Sequence, residues 1–190
     1  YQGRWFGAEA RLVAEITPEL RLSLGSEVSL STKASLWGTS IEHGVREAYL
    51  RSNNSYQLYA GYLLAEWRMV QWLTVSAGGR VDSWSTFGAT INPRLALLMR
   101  LSERDMLKLM GGRAFRAPSI YELKYNDGGT TQVASNFGGY KLMPELVWSS
   151  EIEFSHRFPD GWSFVSAGHF QWAEDMIEQA LINVDPGTDA

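Results

Sequence analysis

The chain has 190 residues, with Lys+Arg 17 against Asp+Glu 21 for a formal net charge of −4, a near-balance that gives no electrostatic reason to expect nucleic acid as a partner. The absence of cysteine excludes a disulfide scaffold, a thiolate metal site and a thiol nucleophile, and suits passage through an oxidising periplasm. The first residues show no charged segment followed by an apolar core, so no signal peptide is expected there, and no stretch reaches the roughly 18 to 20 apolar residues of a transmembrane helix. A transmembrane barrel stays open, because its lipid-facing and lumen-facing residues interleave along each strand. Eight Trp, eight Tyr and eight Phe would suit the aromatic girdles of such a barrel or the core of a soluble β domain.

Alternation with period 2 predicts a first strand from about Trp5 to Ile16, with Phe6, Leu12 and Ile16 on one face and Glu9, Arg11 and Glu15 on the other. Thr17-Pro18-Glu19 is a tight turn, and Leu20 to Leu30 alternates again. That run is long for a globular strand and fits a tilted membrane strand of about 9 to 11 residues. Between Thr32 and Ser55 the periodicity lapses and a long loop is predicted, carrying Trp37 and His43. A strand from Tyr56 to Trp67 and another from Leu73 to Asp82 follow, separated by a tight turn. Ser83 to Thr90 reads as a shorter loop with Trp84 and Phe87, and Ile91 to Leu101 as the fifth strand.

Ser102-Glu103-Arg104-Asp105 turns the chain into Leu107 to Arg116, where Gly111, Arg113 and Phe115 share one face and Gly112, Ala114 and Arg116 the other. Pro118 ends the pairing, since proline has no N–H for a ladder. A long loop with Tyr125, Asp127, Phe137 and Tyr140 closes at Leu142-Met143-Pro144-Glu145. Two further strands, Leu146 to Phe158 and Trp162 to about Ile177, are joined by Pro159-Asp160-Gly161. The expected fold is all-β, an antiparallel up-and-down meander of about eight strands whose connections alternate between tight turns and longer loops, the asymmetry of outer-membrane barrels.

The segment Gly111-Gly112-Arg113-Ala114-Phe115-Arg116-Ala117-Pro118-Ser119-Ile120-Tyr121-Glu122-Leu123 resembles the Gly-x-Gly-Phe-Arg-Ala-Pro-Ser-x-x-Glu-Leu signature of TonB-dependent outer-membrane receptors, with Ala114 in place of the second glycine. Glu66-Trp67-Arg68 followed by Leu73-Thr74-Val75-Ser76-Ala77-Gly78-Gly79-Arg80-Val81-Asp82, and the Leu-x-Pro-Glu at Leu142 to Glu145, resemble other patterns of that family. The resemblance implies a middle portion of a barrel of about 22 strands around a plug domain, with residues 1–190 one partial barrel domain and the plug absent from it. It implies localisation in the bacterial outer membrane, in contact with its lipid, and TonB-energised import of a scarce nutrient such as an iron–siderophore complex or a cobalamin, with TonB acting through the plug.

On this view Arg80, Asp82, Arg94, Arg100, Lys108, Arg116, Glu151, Glu153 and Arg157 face the lumen and its plug, with Arg116 a foremost candidate for a plug contact. Trp37, His43, Trp84, Phe87, Tyr125, Asp127, Phe137 and Tyr140 are the candidates for ligand capture, since aromatic side chains offer large contact area at low entropic cost. Asp127-Gly128-Gly129 lacks the spaced oxygen ligands of a calcium loop. His43, His156 and His169 lack metal-ligand spacing. Glu151 and Glu153 share a strand face without a nucleophile elbow or phosphate loop nearby, so no enzyme, resident metal or cofactor is expected. Two other readings fit the bare periodicity: a small closed eight-stranded barrel acting as adhesin or hydrolase, and a soluble β-sandwich that binds carbohydrate.

Overall fold

The computed structural model of the protein describes residues 1–42, 45–125 and 142–178. Eight strands follow one another as β1 (Gln2–Thr17), β2 (Leu20–Glu42), β3 (Val45–Val70), β4 (Leu73–Trp84), β5 (Gly88–Arg100), β6 (Asp105–Arg116), β7 (Glu145–Arg157) and β8 (Ser163–Glu174), with one short helix, α1 (Ile120–Lys124), after β6. They form one sheet in sequence order, each strand antiparallel to the next. A sandwich needs two sheets and a closed eight-stranded barrel needs β1 paired with β8. Among the described residues neither is found, and the sheet is open.

The register carries one parity across all eight strands. Arg11 pairs with Gly25, Gly25 with Tyr62, Tyr62 with Arg80 and Arg80 with Asn92, so these five share a face. Arg94 opposes Gly112, Lys108 opposes Glu153 and Glu151 opposes His169 on that same face. The opposite face runs through Leu12, Leu24, Leu63, Leu95, Ile152 and Phe170, all about half exposed or more. The buried polar residues Ser23, Ser31, Asp82, Thr90 and Glu145 all lie on the charged face. Side-chain burial falls on the polar face while the apolar face is open, the reverse of a water-soluble domain, and a continuous exposed apolar face of this extent marks a surface that meets another apolar medium. No helix among the described residues is long and apolar enough to cross a membrane.

Three connections depart from expectation. Thr32 to Ser55 is not a loop: β2 and β3 continue as a paired ladder out to Glu42 and Val45, with register shifts after Ser31 and Gly38. The apolar residues of this segment, among them Leu36, Trp37, Ile41 and Leu50, do not alternate with polar ones, so the period-2 signal disappears while the strand pairing persists. Ser35 to Asn53 (3.0 Å) and Asn54 to the Ala34 carbonyl (3.4 Å) add side-chain bonds across the pair. The predicted loop Ser83 to Thr90 contracts to Ser85–Phe87, where Gly88 takes the left-handed φ of 108° that closes it. The segment after Pro118 contains α1, and β8 ends at Glu174 rather than Ile177.

Two adjacent glycines in β4 separate backbone crowding from ordinary packing. A Cβ on Gly78 would fall within 2.9 Å of Leu64 Cα, on the face where Tyr62 and Arg80 sit, whereas one on Gly79 would find its nearest atom at 3.5 Å. Gly78→Ala is therefore expected to destabilise the barrel by about 1–3 kcal/mol, the usual cost of overpacking. Gly79→Ala should be close to neutral, and thermal unfolding in detergent followed by β-strand circular dichroism distinguishes the two.

Candidate functional site

The charged face is held by cross-strand pairs. Arg80 on β4 donates from Nη2 to Glu27 Oε2 on β2 and from Nε to Asp82 Oδ1, both at 2.7 Å. Asp82, only 2% exposed, also accepts from Asn92 Nδ2 on β5 at 3.1 Å. This network spans β2 to β5 and satisfies a carboxylate that would be costly to bury alone. Tyr62 lies across Gly25, where any Cβ would collide with its ring, and its hydroxyl donates to Glu9 on β1 at 3.0 Å. Lys108 meets Glu153 at 2.6 Å between β6 and β7. Arg94 and Glu151 share this face, yet no hydrogen bond or ion pair joins either of them among the described residues. The charged face therefore combines groups consumed internally with groups still open to a partner.

At the end of β6 one guanidinium organises the exit of the chain. Arg116 donates Nε and Nη2 to Glu145 at 2.5 and 2.7 Å, and Nη1 and Nη2 to Glu122 at 3.2 and 3.0 Å. Four of the five N–H donors of an arginine are thus used inside the chain, which gives Arg116 an internal role and leaves one donor for any further contact. Glu145, first residue of β7, also accepts from the Ile177 amide at 2.9 Å, tying the segment after β8 to the same point. Glu122 completes a capping box: the Ser119 hydroxyl accepts from the Glu122 amide and the Glu122 carboxylate accepts from the Ser119 amide at 2.7 Å. Burial pushes the Glu122 carboxyl up, but the hydrogen bonds from Arg116 and Ser119 outweigh it and hold it below its ordinary value. Ser119-Ile120-Tyr121-Glu122 is a readable Ser-x-x-Glu signal, and Glu145 follows a proline in a recognisable motif; only their convergence on Arg116 is invisible without the fold.

The aromatic residues expected to capture ligand divide. Trp84, the last residue of β4, stacks between Tyr56 at 5.9 Å and Phe87 at 5.5 Å, and Phe87 meets Phe115 edge-on at 6.3 Å. Phe87 is 5% exposed, so its ring is turned into this row rather than presented outward. Trp37 is half exposed on β2, opposite Arg51, on a strand and not in a loop. Tyr125 caps α1 and packs at 4.5 Å from Tyr121. His43, Asp127, Phe137 and Tyr140 lie outside the described residues. Among the described residues no group of three or more His, Asp or Glu is placed to hold a metal.

Because Glu122 is held below the ordinary carboxylate value of 4.5, its contribution is fully present above that value and disappears as the pH falls through the lowered one. Amide exchange at Ser119, whose N–H the Glu122 carboxylate accepts, should be protected from neutral pH down past 4.5 and lose that protection below. Arg116→Lys keeps the charge but cannot form the planar double fork, and should lose the same protection already at neutral pH.

Residues 2–189 match the family model described as TonB dependent receptor-like, beta-barrel. The iron-regulated outer membrane virulence protein of Vibrio cholerae serotype O1 is 24% identical over 111 residues, which cover 58% of this chain and 17% of that protein. The siderophore receptor PirA of Pseudomonas aeruginosa superposes with a TM-score of 0.67 at 20% identity, covering 89% of this chain and 30% of that one. The copper transporter OprC gives a TM-score of 0.69 at 14% identity over 92% of this chain and 31% of that one. The chain thus spans about a sixth of the curated relatives it matches and under a third of these structural neighbours. With the family model covering nearly every residue and the strand order, parity and Arg116 motif in agreement with it, this chain belongs to the β-barrel of the TonB-dependent receptor family.

Proposed function

We propose that this segment forms part of the wall of an outer-membrane receptor that binds a scarce nutrient outside the cell and imports it with energy delivered by TonB through a plug domain. The observation that carries this reading is the inverted sheet: an open apolar face for lipid backed by a charged face whose residues are only partly paired. In that arrangement Arg94 and Glu151 offer the plug unspent charge, while Arg80, Asp82, Glu153 and Arg116 fix the wall against which it rests. The residues expected to touch ligand are those toward the long-hairpin end, Trp37 and Tyr125, together with His43, Asp127, Phe137 and Tyr140.

An iron–siderophore complex is the cargo favoured over a cobalamin. The support is the iron-regulated relative in sequence and the fold shared with a ferric enterobactin receptor of Pseudomonas aeruginosa bound to enterobactin. The copper transporter with the same fold makes plain that the wall alone does not choose the cargo. The family is one of transport receptors, and nothing in the arrangement of Glu151 and Glu153 calls for catalysis.

Uptake of a radiolabelled ferric siderophore by cells expressing the full-length receptor is expected to require TonB. Arg94→Ala combined with Glu151→Ala should lower it several-fold at an unchanged level of receptor in the outer membrane. Uptake that persists without TonB would overturn the energised mechanism. Growth support from cobalamin but from no ferric siderophore would replace the cargo while keeping the class.

A further inference from the structure

Glu145 opens β7, is 7% exposed, and has both carboxylate oxygens engaged. Oε2 accepts from Arg116 Nε at the end of β6, while Oε1 accepts from Arg116 Nη2 at 2.7 Å and from the Ile177 amide at 2.9 Å. The donors come from two different exits of the wall. Arg116 is where the chain leaves β6, and Ile177 is the third residue after the end of β8 at Glu174.

A strained backbone delivers the second donor. The β7–β8 ladder ends at Leu146 opposite Glu174, and one more step would set Asp175 opposite Glu145. Two carboxylates directly across an antiparallel pair repel. Instead Asp175 takes a φ of 55°, a left-handed conformation that aspartate tolerates better than most residues and that persists where its surroundings hold it. The ladder stops there, and the amide two residues on meets the Glu145 carboxylate in a charge-assisted bond.

From Glu145 the same network reaches α1. Arg116 Nη1 and Nη2 donate to Glu122 at 3.2 and 3.0 Å, and Glu122 accepts from the Ser119 amide at 2.7 Å. No residue of α1 is buried, so the helix has no core of its own to fix its place, and the two bonds from Arg116 orient it. It brings together Tyr121 and Tyr125, whose rings lie 4.5 Å apart with Tyr121 exposed. Ile177, Glu145, Arg116 and Glu122 form an unbroken row of charge-assisted bonds from the exit of β8 to this helix.

We propose that Glu145 is a positioning residue that couples the two exits. Through Arg116 it sets the place of α1 and its tyrosine pair, and through the Ile177 amide it makes that place depend on the chain leaving β8. Displacing Ile177 removes one bond to Glu145, loosens the guanidinium and is felt at Ser119. In a receptor, two outer segments ordered together before the cargo arrives lower the entropic cost of capture, a consequence that rests on the transport role; the coupling itself rests only on contacts within this chain.

The test uses the full-length receptor in detergent at neutral pH, without cargo, and reads amide hydrogen exchange at Ser119 by mass spectrometry. Ile177→Pro removes the N–H and changes none of the charged side chains, and should speed that exchange about fivefold, a coupling usual within one hydrogen-bonded network. Asp175→Val, which disfavours the left-handed φ, should do the same, and Asp175→Gly, which accepts it, should leave the native rate. Exchange at the native rate in both Ile177→Pro and Asp175→Val, each shown to be folded by heat-modifiable migration, would overturn the coupling. Positioning is read in cells whose sole ferric-siderophore receptor is this one, supplied with ferric enterobactin. Glu145→Gln should raise the concentration for half-maximal uptake about fivefold with the maximal rate unchanged. A fall in the maximal rate alone would overturn the positioning role. Native cells that take up no ferric enterobactin would set aside that cargo, and amide exchange would still decide the coupling.

Discussion

Everything in this structure depends on a side-chain parity that stays in phase through eight antiparallel strands. In a lipid environment each backbone N–H and C=O must be satisfied within the protein, and a laterally continuous ladder does this for strands. Once the ladder is fixed, one-residue slips are forbidden, because each would send Arg80, Lys108 and Glu153 to the lipid side and Leu24, Leu63 and Leu95 to the lumen. The Arg80–Glu27, Arg80–Asp82 and Lys108–Glu153 pairs therefore act as register pins as much as sources of stability. The part-exposed Arg80–Glu27 and Lys108–Glu153 pairs contribute little each, whereas Arg80–Asp82 offsets the burial of a carboxylate; the value of all three lies in the penalty of the alternatives.

The same logic explains where the parity is relaxed. Beyond Ser31 on β2 the register shifts and the apolar residues no longer alternate with polar ones, while the strands run on. Beside Pro93 the β5–β6 ladder stops, and a shallow groove lies between Leu95 on one side and Trp148 and Phe170 on the other. At Arg116 the chain leaves the sheet altogether. There a single guanidinium, two carboxylates and a one-turn helix replace the ladder, joining the ends of β6 and β7 with the residues after β8. Arg116 thus ties the end of β6 to the start of β7 at one charged point.

The rim also shows how aromatic residues serve packing before recognition. The row from Tyr56 through Trp84 and Phe87 to Phe115 seals the junction between β3, β4 and β6 where the β5–β6 ladder has stopped. Stacked and edge-on rings supply cohesion that hydrogen bonds no longer provide. Trp84 and Phe87 look, in a sequence, like exposed loop aromatics; here the short turn closed by Gly88 folds them back into the wall.

Sequence alone determined the strands from Leu20 to Leu30 and Leu73 to Asp82, the tight turns, the division into apolar and charged faces, and the family, because each is written within a dozen consecutive residues as alternation, turn chemistry or motif. It missed the outer half of the β2–β3 hairpin, since a ladder of backbone hydrogen bonds leaves no periodic trace where apolar residues such as Leu36 and Trp37 do not alternate with polar ones. It placed Arg80, Asp82 and Arg116 on one face without revealing their partners, because Glu27 and Glu145 are 53 and 29 positions away. Only the tertiary structure decided which charges neutralise one another and which stay open, and it alone brought Trp148 beside Arg113, because register sets such neighbours and sequence distance does not.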